Sequence, residues 1–388
     1  MSLQFKPEIA AAPLYSSDPA IEAARTALGL DEILEMGSNE SPLGPSPLAV
    51  EAMQQAAITL NRYPPMSDEV LRGVLAEVIG QGLTPDNFVT GNGGLEVLAM
   101  IAAGFLAHGD ECVICRPTFP IYDITARRAG ANVVYVDLDP DDFHYDVETI
   151  LSVVTPQTRV VYMCSPNNPT GNILTAAQME TLVNNLPPHV LLVADEVYHH
   201  FVTNKNYHNS LAYIEAGKNL IILHSFSKGY SMAGLRLGYG IAPVEIAQYL
   251  SRTRRPFQIN DVTMAGGIAA LRDTAHLEKN IQLIIKGRDW LTEQLMQLGL
   301  PAWPSEGNFI LFKPPFAAGE VSQRLLERGL VVRSMARFYL PDHMRVTIGL
   351  PEENERFVIA LQEVLVEMEA EGIPTSTIVE GRGGDFKF

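Results

Sequence analysis

The hydrophobic pattern changes rhythm twice along the chain. Before residue 88, apolar positions recur at helical spacing between breaks. Pro47 to Leu60 alternates Ala, Met and Leu with polar residues, and a second helical stretch covers about Ser67 to Ile79. From Phe88 onward, short apolar runs take over: Phe88–Thr90, Glu111–Cys115, Asn132–Val136, Arg159–Cys164, Val190–Ala194, Leu220–His224 and Leu237–Ile241. They end in glycine or polar residues and are followed by helical patterns. Several are continuous Val, Ile and Leu, as strands buried on both faces require. The prediction is an α/β fold with an open, mostly parallel seven-stranded sheet between helices.

The second change comes after the mainly helical stretch from Pro243 to about Leu271. A long helix, roughly Ala275 to Leu298, leads to a smaller α/β unit. There the pattern predicts a strand over Gly307–Phe312, a helix over Gly319–Arg328, and strands over Leu330–Arg333 and Met344–Ile348. A last helix, Pro351–Ala370, repeats Phe357, Ala360, Leu361, Val364 and Leu365 at helical spacing. The expected organisation is an N-terminal arm (1–40), a large domain (41–274), a small C-terminal domain (275–370) and a tail (371–388). Within the arm, Asp18 and Gly29 read as the cap and stop of a helix from Pro19 to Leu28. The Gly37–Pro47 run is too rich in Gly, Pro and Ser for a regular element.

Composition narrows the classes. A chain of 388 residues with 47% hydrophobic content can bury a large core, and its length suggests roughly two domains. A net charge of -17 opposes binding to nucleic acid or anionic membranes. Three cysteines argue against a disulfide framework and suit a reducing cytoplasm. Cys112 and Cys115 have CxxC spacing, but they lie in an apolar run and read as buried thiols. The histidines show no metal-ligand spacing, and His199-His200 reads as incidental, so no metal is expected. The first ten residues lack the basic and apolar regions of a signal peptide, and no apolar stretch reaches membrane-spanning length.

The chemistry gathers at strand ends. Lys228 closes Ser225-Phe-Ser-Lys228, after the apolar run Leu220–Leu223 and before a Gly-rich stretch. A desolvated lysine loses basicity and becomes a nucleophile able to form a Schiff base. Ser225, Ser227 and Arg236 are suited to an anion beside it. These features predict attachment of pyridoxal 5'-phosphate. Asp195 ends another strand, where a carboxylate can keep a pyridine nitrogen protonated. Tyr198, three residues on, and Asn168, in Ser165-Pro-Asn-Asn-Pro-Thr-Gly171, can reach a phenolic oxygen. Gly91-Asn-Gly-Gly-Leu-Glu96 opens a helix, and the amides of Gly94 and Leu95 are suited to a phosphate. Phe119, in Pro117–Tyr122, can stack on a ring or serve as a core aromatic.

Together these motifs resemble the fold type I pyridoxal-phosphate aminotransferases, specifically the histidinol-phosphate aminotransferase group. The resemblance runs from about Leu14 to Val366. It is carried by Ser38–Pro47, Arg62-Tyr-Pro64, Gly91–Glu96, Ser165–Gly171, Asp195–Tyr198, Ser225–Lys228 with Gly234–Arg236, and Met344–Gly349. It implies a homodimer in which Tyr63 reaches the partner's cofactor phosphate. It implies a substrate site with Asn39, with Arg345 clamping a carboxylate, and with Arg333 and Arg356 on a substrate phosphate. The group often has Gly-Ser-Asp-Glu where this chain has Gly93-Gly-Leu-Glu96, and tyrosine where it has Phe119. The expected reaction exchanges an amino group between L-histidinol phosphate and 2-oxoglutarate. An aromatic amino acid aminotransferase and a decarboxylase of a phosphorylated amino acid are alternatives on the same scaffold. A ligand-sensing module of a transcription regulator would need a DNA-binding domain, for which the 38 residues before Asn39 are too few.

Overall fold

The computed structural model describes residue 3 and residues 5–10, 21–30 and 32–375. The predicted cap at Asp18 and the tail from residue 376 lie outside them. Twelve strands occur among the described residues: β1 (Leu34–Glu35), β2 (Phe88–Gly91), β3 (Glu111–Arg116), β4 (Asn132–Asp137), β5 (Thr158–Cys164), β6 (Leu191–Asp195), β7 (Leu220–Ser225), β8 (Gly238–Ile241), β9 (Phe309–Phe312), β10 (Leu330–Val331), β11 (Arg333–Ser334) and β12 (Met344–Thr347). The seven-stranded sheet has the order β2-β8-β7-β6-β5-β3-β4. Only β8 runs against its neighbours, so the other six strands all end on one edge.

The period-two alternation of a strand sends successive side chains to opposite faces. Val161, Met163, Leu192, Ala194, Leu220 and Ile222 therefore join one core, and Val160, Tyr162, Leu191, Val193, Ile221 and Leu223 join the other. Helices cover both faces, which is why β5 to β8 are almost continuously apolar. The face that carries Leu220 and Ile222 also receives Leu71, Val74 and Leu75 from the helix Glu69–Ile79. The opposite face receives Val97, Leu98 and Ile101 from the helix Gly94–Phe105. Cys112 and Cys115 sit in the two separate cores, and burial pushes each thiol up to about 12. All three cysteines are free and buried.

Local chemistry starts and stops the elements. Ser46 accepts from the Ala49 amide at 3.3 Å, with Pro47 in the first turn behind it. Thr175 and Gln178 form a capping box for the helix Ala176–Asn185. Gly29 follows the helix Ile21–Leu28 at φ +65°, a left-handed stop that glycine adopts without a Cβ clash.

A third core surrounds the smaller sheet β11-β12-β9, packed by the helices Thr274–Gln297, Ala318–Glu327 and Pro351–Ala370. Here the single strand expected over Leu330–Arg333 is divided. β10 pairs in parallel with β1, and β11 pairs antiparallel with β12. Val332 between them is buried in the core, so the chain changes partners around an anchored residue. The pairing also ties Leu34 and Glu35, within the predicted arm, to the small unit. The mainly helical stretch after Pro243 resolves into two helices, Val244–Ser251 and Asp261–Arg272. No helix among the described residues is long and apolar enough to cross a membrane.

Candidate active site

The strand register fixes the site's floor. Ser225, Gly238 and Gly91 lie side by side on one rung of β7, β8 and β2, and Cys164 and Asp195 on a rung of β5 and β6. The loops that follow β2, β3, β5, β6 and β7 therefore open at the same edge, where an α/β sheet collects ligands. They enclose a cavity of about 370 Å³ lined by Asn39, Gly94, Leu95, Phe119, Asn168, Asp195, Tyr198, Ser225, Ser227, Lys228, Arg236, Arg333 and Arg345. Thirteen of the fifteen predicted site residues thus converge.

Lys228 Nζ donates to the Asn39 carbonyl at 2.6 Å and sits 5.6 Å from the centre of the Tyr198 ring. Burial, with Arg345 nearby, pulls its pKa down to about 7. The neutral amine is therefore a major species near neutrality. Asn39 holds φ +53°, the left-handed region that asparagine tolerates better than most residues. Its side-chain amide donates to the Tyr198 hydroxyl at 3.0 Å, and its backbone amide donates to Thr347 Oγ1 at 2.9 Å. One residue thus orients the amine, the phenol and the small sheet.

Asp195 is buried, which raises its pKa to about 6; hydrogen bonds from the Tyr122 hydroxyl and the Val197 amide oppose that rise. The Tyr122 bond is 2.5 Å long and the Val197 bond 3.3 Å. Asn168 sits in a loop pinned through its neighbour. Asn167, beside it, donates to the Pro117 carbonyl at 2.9 Å and accepts from Thr118 at 2.7 Å. Arg345 donates to Asn168 Oδ1 and, at 2.5 Å, to the Gly37 carbonyl. Its guanidinium lies against the rings of Phe309 and Phe338, at 5.4 and 5.6 Å from their centres.

The same cavity gathers a set of groups suited to an anion. Ser225 and Ser227 hydroxyls are 3.0 Å apart, and Arg236 lines the cavity with them. The helix Gly94–Phe105 brings its N-terminus to the same place, with no side-chain cap bond from Gly93. Two glycines permit this approach. A Cβ at Gly93 would collide with the Arg236 guanidinium, and one at Gly238 would lie 2.5 Å from the Gly94 amide nitrogen. A guanidinium, two hydroxyls and a helix N-terminus suit a phosphate monoester. A low-pKa lysine suits an aldehyde. Pyridoxal phosphate carries both groups, so the donor set fits it.

Two predicted residues stand elsewhere. Tyr63 is 82% exposed and stacks on Phe257 at 4.8 Å, away from this chain's cavity. Arg356 lies on the outer side of the helix Pro351–Ala370, donating to the Gly329 carbonyl at 3.4 Å beside Glu352 and Glu355. The cause is helical geometry: Phe357 faces the core, and its predecessor is turned about 100° away. Of the two arginines expected at a substrate phosphate, only Arg333 reaches the cavity.

Sequence reasoning missed Tyr122, Glu40 and Phe338, which also line the cavity. It also missed a buried polar cluster beside it. Glu196 accepts from His208 at 3.0 Å and faces His224 at 3.4 Å. The His199 ring stacks on His224 and lies tilted against His200, each at 3.8 Å between centroids. The His199-His200 pair is thus half-buried against this cluster. The adjacency of Glu196 to Asp195 was the available signal.

Comparison with known proteins agrees with this geometry. The family model for aminotransferase class I and II matches residues 31–361. A histidinol-phosphate aminotransferase of Moorella thermoacetica is 40% identical over 352 residues, spanning 90% of this chain and 90% of its own. One from Symbiobacterium thermophilum is 38% identical over 353 residues, spanning 91% and 96%. The crystal structure of histidinol-phosphate aminotransferase from Sinorhizobium meliloti in complex with pyridoxal-5'-phosphate superimposes with a TM-score of 0.85 at 26% identity. That match covers 95% of this chain and 99% of that one.

Proposed function

The chain belongs to the aminotransferase class I and II family, and from that premise we propose that it moves an amino group from L-histidinol phosphate to 2-oxoglutarate. It is a pyridoxal-phosphate-dependent enzyme acting on small molecules. One observation carries the reading. A lysine amine of lowered basicity and a buried carboxylate share a cavity with two arginines, Arg333 and Arg345.

Lys228 would anchor the cofactor, Asp195 would serve its ring nitrogen, and Asn168 and Tyr198 its phenolic oxygen. Phe119 would cover a ring face. Ser225, Ser227, Arg236 and the amides of Gly94 and Leu95 would hold the phosphate. When bound, the cofactor supplies an electron sink for the pair left on the substrate's Cα. The Lys228 amine, with its pKa drawn down to about 7, would be suited to taking the Cα proton near neutral pH. Arg345 binds the carboxylate of the 2-oxo acid and glutamate, and Arg333 adds a second cation for a phosphate-bearing donor. Asn39 orients Lys228 through its carbonyl.

The active unit is a homodimer. Ile58, Leu60, Tyr63, Met66 and Val70 form an exposed apolar stretch that a second copy would cover. Such a contact would carry Tyr63 to the partner's phosphate site. Three buried free thiols suit a reducing cytoplasm.

Steady-state kcat/KM for histidinol phosphate against phenylalanine, with 2-oxoglutarate as acceptor, tests the substrate. The proposal expects at least a tenfold preference, about 1.4 kcal/mol, for the phosphate. Phe119 and Phe338 line the cavity and support the aromatic alternative. A preference for phenylalanine would establish it.

A further inference from the structure

Tyr122 is one of the cavity residues to which no role has been given, and it touches two that have one. Tyr122 is 1% exposed. Its hydroxyl donates to Asp195 Oδ2 at 2.5 Å. Its ring meets Phe119 edge-on, with centroids 5.9 Å apart, and stacks on Tyr162 at 5.1 Å.

We propose that Tyr122 is a positioning residue, fixing Asp195 with its hydroxyl and bracing Phe119 with its ring. The inference rests on the cofactor reading above, in which Asp195 and Phe119 both meet the pyridine ring. A carboxylate can rotate about its last bond, so a short bond to one oxygen sets the plane of the group. Among the described residues, the only other donor to the Asp195 carboxyl is the Val197 amide, at 3.3 Å.

The donor also biases charge. A hydrogen bond to the ionised form favours that form. Burial holds the Tyr122 phenol well above its ordinary acidity range, so it stays a donor at every working pH. The other groups facing Asp195 are Cys164 on β5, His224 on β7, Glu196, Tyr145, Tyr198, Tyr207 and Lys228. His224 draws the carboxyl down and Glu196 pushes it up, but neither donates to it.

Tyr122→Phe keeps the ring and removes the donor. The Asp195 pKa then rises, so the defect should fall on the acid side. Affinity of the apoprotein for pyridoxal phosphate should drop roughly 10- to 100-fold at pH 6, the range for a hydrogen bond to a charged group. At pH 8.5, where Asp195 is ionised again, the drop should be less than about threefold. The acid limb of kcat should move up while KM for the amino donor holds. Equal losses at both pH values would mean a packing role and overturn the proposal.

Tyr162→Phe perturbs the same ring stack without touching Asp195, and its affinity should match wild type. If it reproduced the acid-side defect, the hydroxyl would not be the cause. Asp195→Asn separates this inference from the cofactor reading. Wild-type binding and turnover in that variant would sink the reading itself. A defective Asp195→Asn beside a normal Tyr122→Phe would sink only the proposal. Should Tyr122→Phe not fold, 3-fluorotyrosine at position 122 keeps the ring and strengthens the donor. It should move the acid limb down, and an unmoved limb would overturn the proposal.

Discussion

Asp195 and Glu196 are neighbours in sequence and both buried, yet their acidities move in opposite directions. Burial pushes both upward. Around Asp195 the opposing hydrogen bonds come from a phenol and one backbone amide, His224 acts on it only through space, and the carboxyl remains at about 6. Around Glu196 they are the imidazoles of His208 and His224, which outweigh burial and hold the carboxyl at about 2. A cationic partner fixes a charge inside the fold. A neutral donor leaves the charge responsive to whatever enters the cavity. One carboxylate is suited to structure, and its neighbour is suited to a cofactor.

The largest test of that contrast is the lysine on the Asp195 side. Lys228→Ala should lower kcat by about 10⁴-fold or more, the upper range for a general acid–base group. Single-turnover kinetics measure this. A residual rate near wild type would mean that another group moves the proton.

The next test sets the two carboxylates against each other. Asp195→Asn should lower kcat about 10²- to 10³-fold, as loss of one preorganised electrostatic contact does. Glu196→Gln should leave kcat within about threefold and instead cost about 3 kcal/mol of stability, because a buried ion pair loses a partner. Denaturant unfolding beside steady-state kinetics separates the two. Equal kcat losses would erase the distinction.

The finest test is the sign of the pH dependence in apoprotein. Glu196 is depressed from 4.5, so its contribution is present above pH 4.5 and lost as pH falls toward 2. Asp195 is raised from 3.8 to about 6, so its contribution is present below pH 3.8 and lost as pH rises through 6. Asp195→Asn apoprotein should therefore be more stable than wild type at pH 8, by about 2–3 kcal/mol, with no gain at pH 4. Unfolding midpoints at the two pH values check this, and a gain at both would contradict the assignment.

Much of the architecture was legible. The seven strands of the large sheet match the apolar runs to within one residue at either end, because strand burial is written in adjacent positions. Lys228, Asp195, Asn168 and Arg236 could be singled out because strand ends and turn-rich loops are local features. Tyr122 could not. It falls in the short helix Ile121–Arg128, where a buried tyrosine reads as ordinary core. The division at Val332 was also hidden, since β10 and β11 differ only in partners far away in the chain. Arg356 illustrates the reverse error: a motif position drew it toward the substrate, and helix phase turned it outward.

Local sequence set the order of elements, the loops at the strand ends and the reactive side chains available. These depend on side-chain periodicity and on backbone restrictions at Gly and Pro, which act over a few residues. Tertiary structure decided what the reactive groups are like. Lys228 owes its lowered pKa to burial and Arg345, Asp195 owes its raised value to burial that Tyr122 only partly offsets, and Glu196 owes its depressed value to His208 and His224. Acidity depends on desolvation and on charges a few ångströms away through space, and a folded chain draws those from segments that its linear order keeps apart.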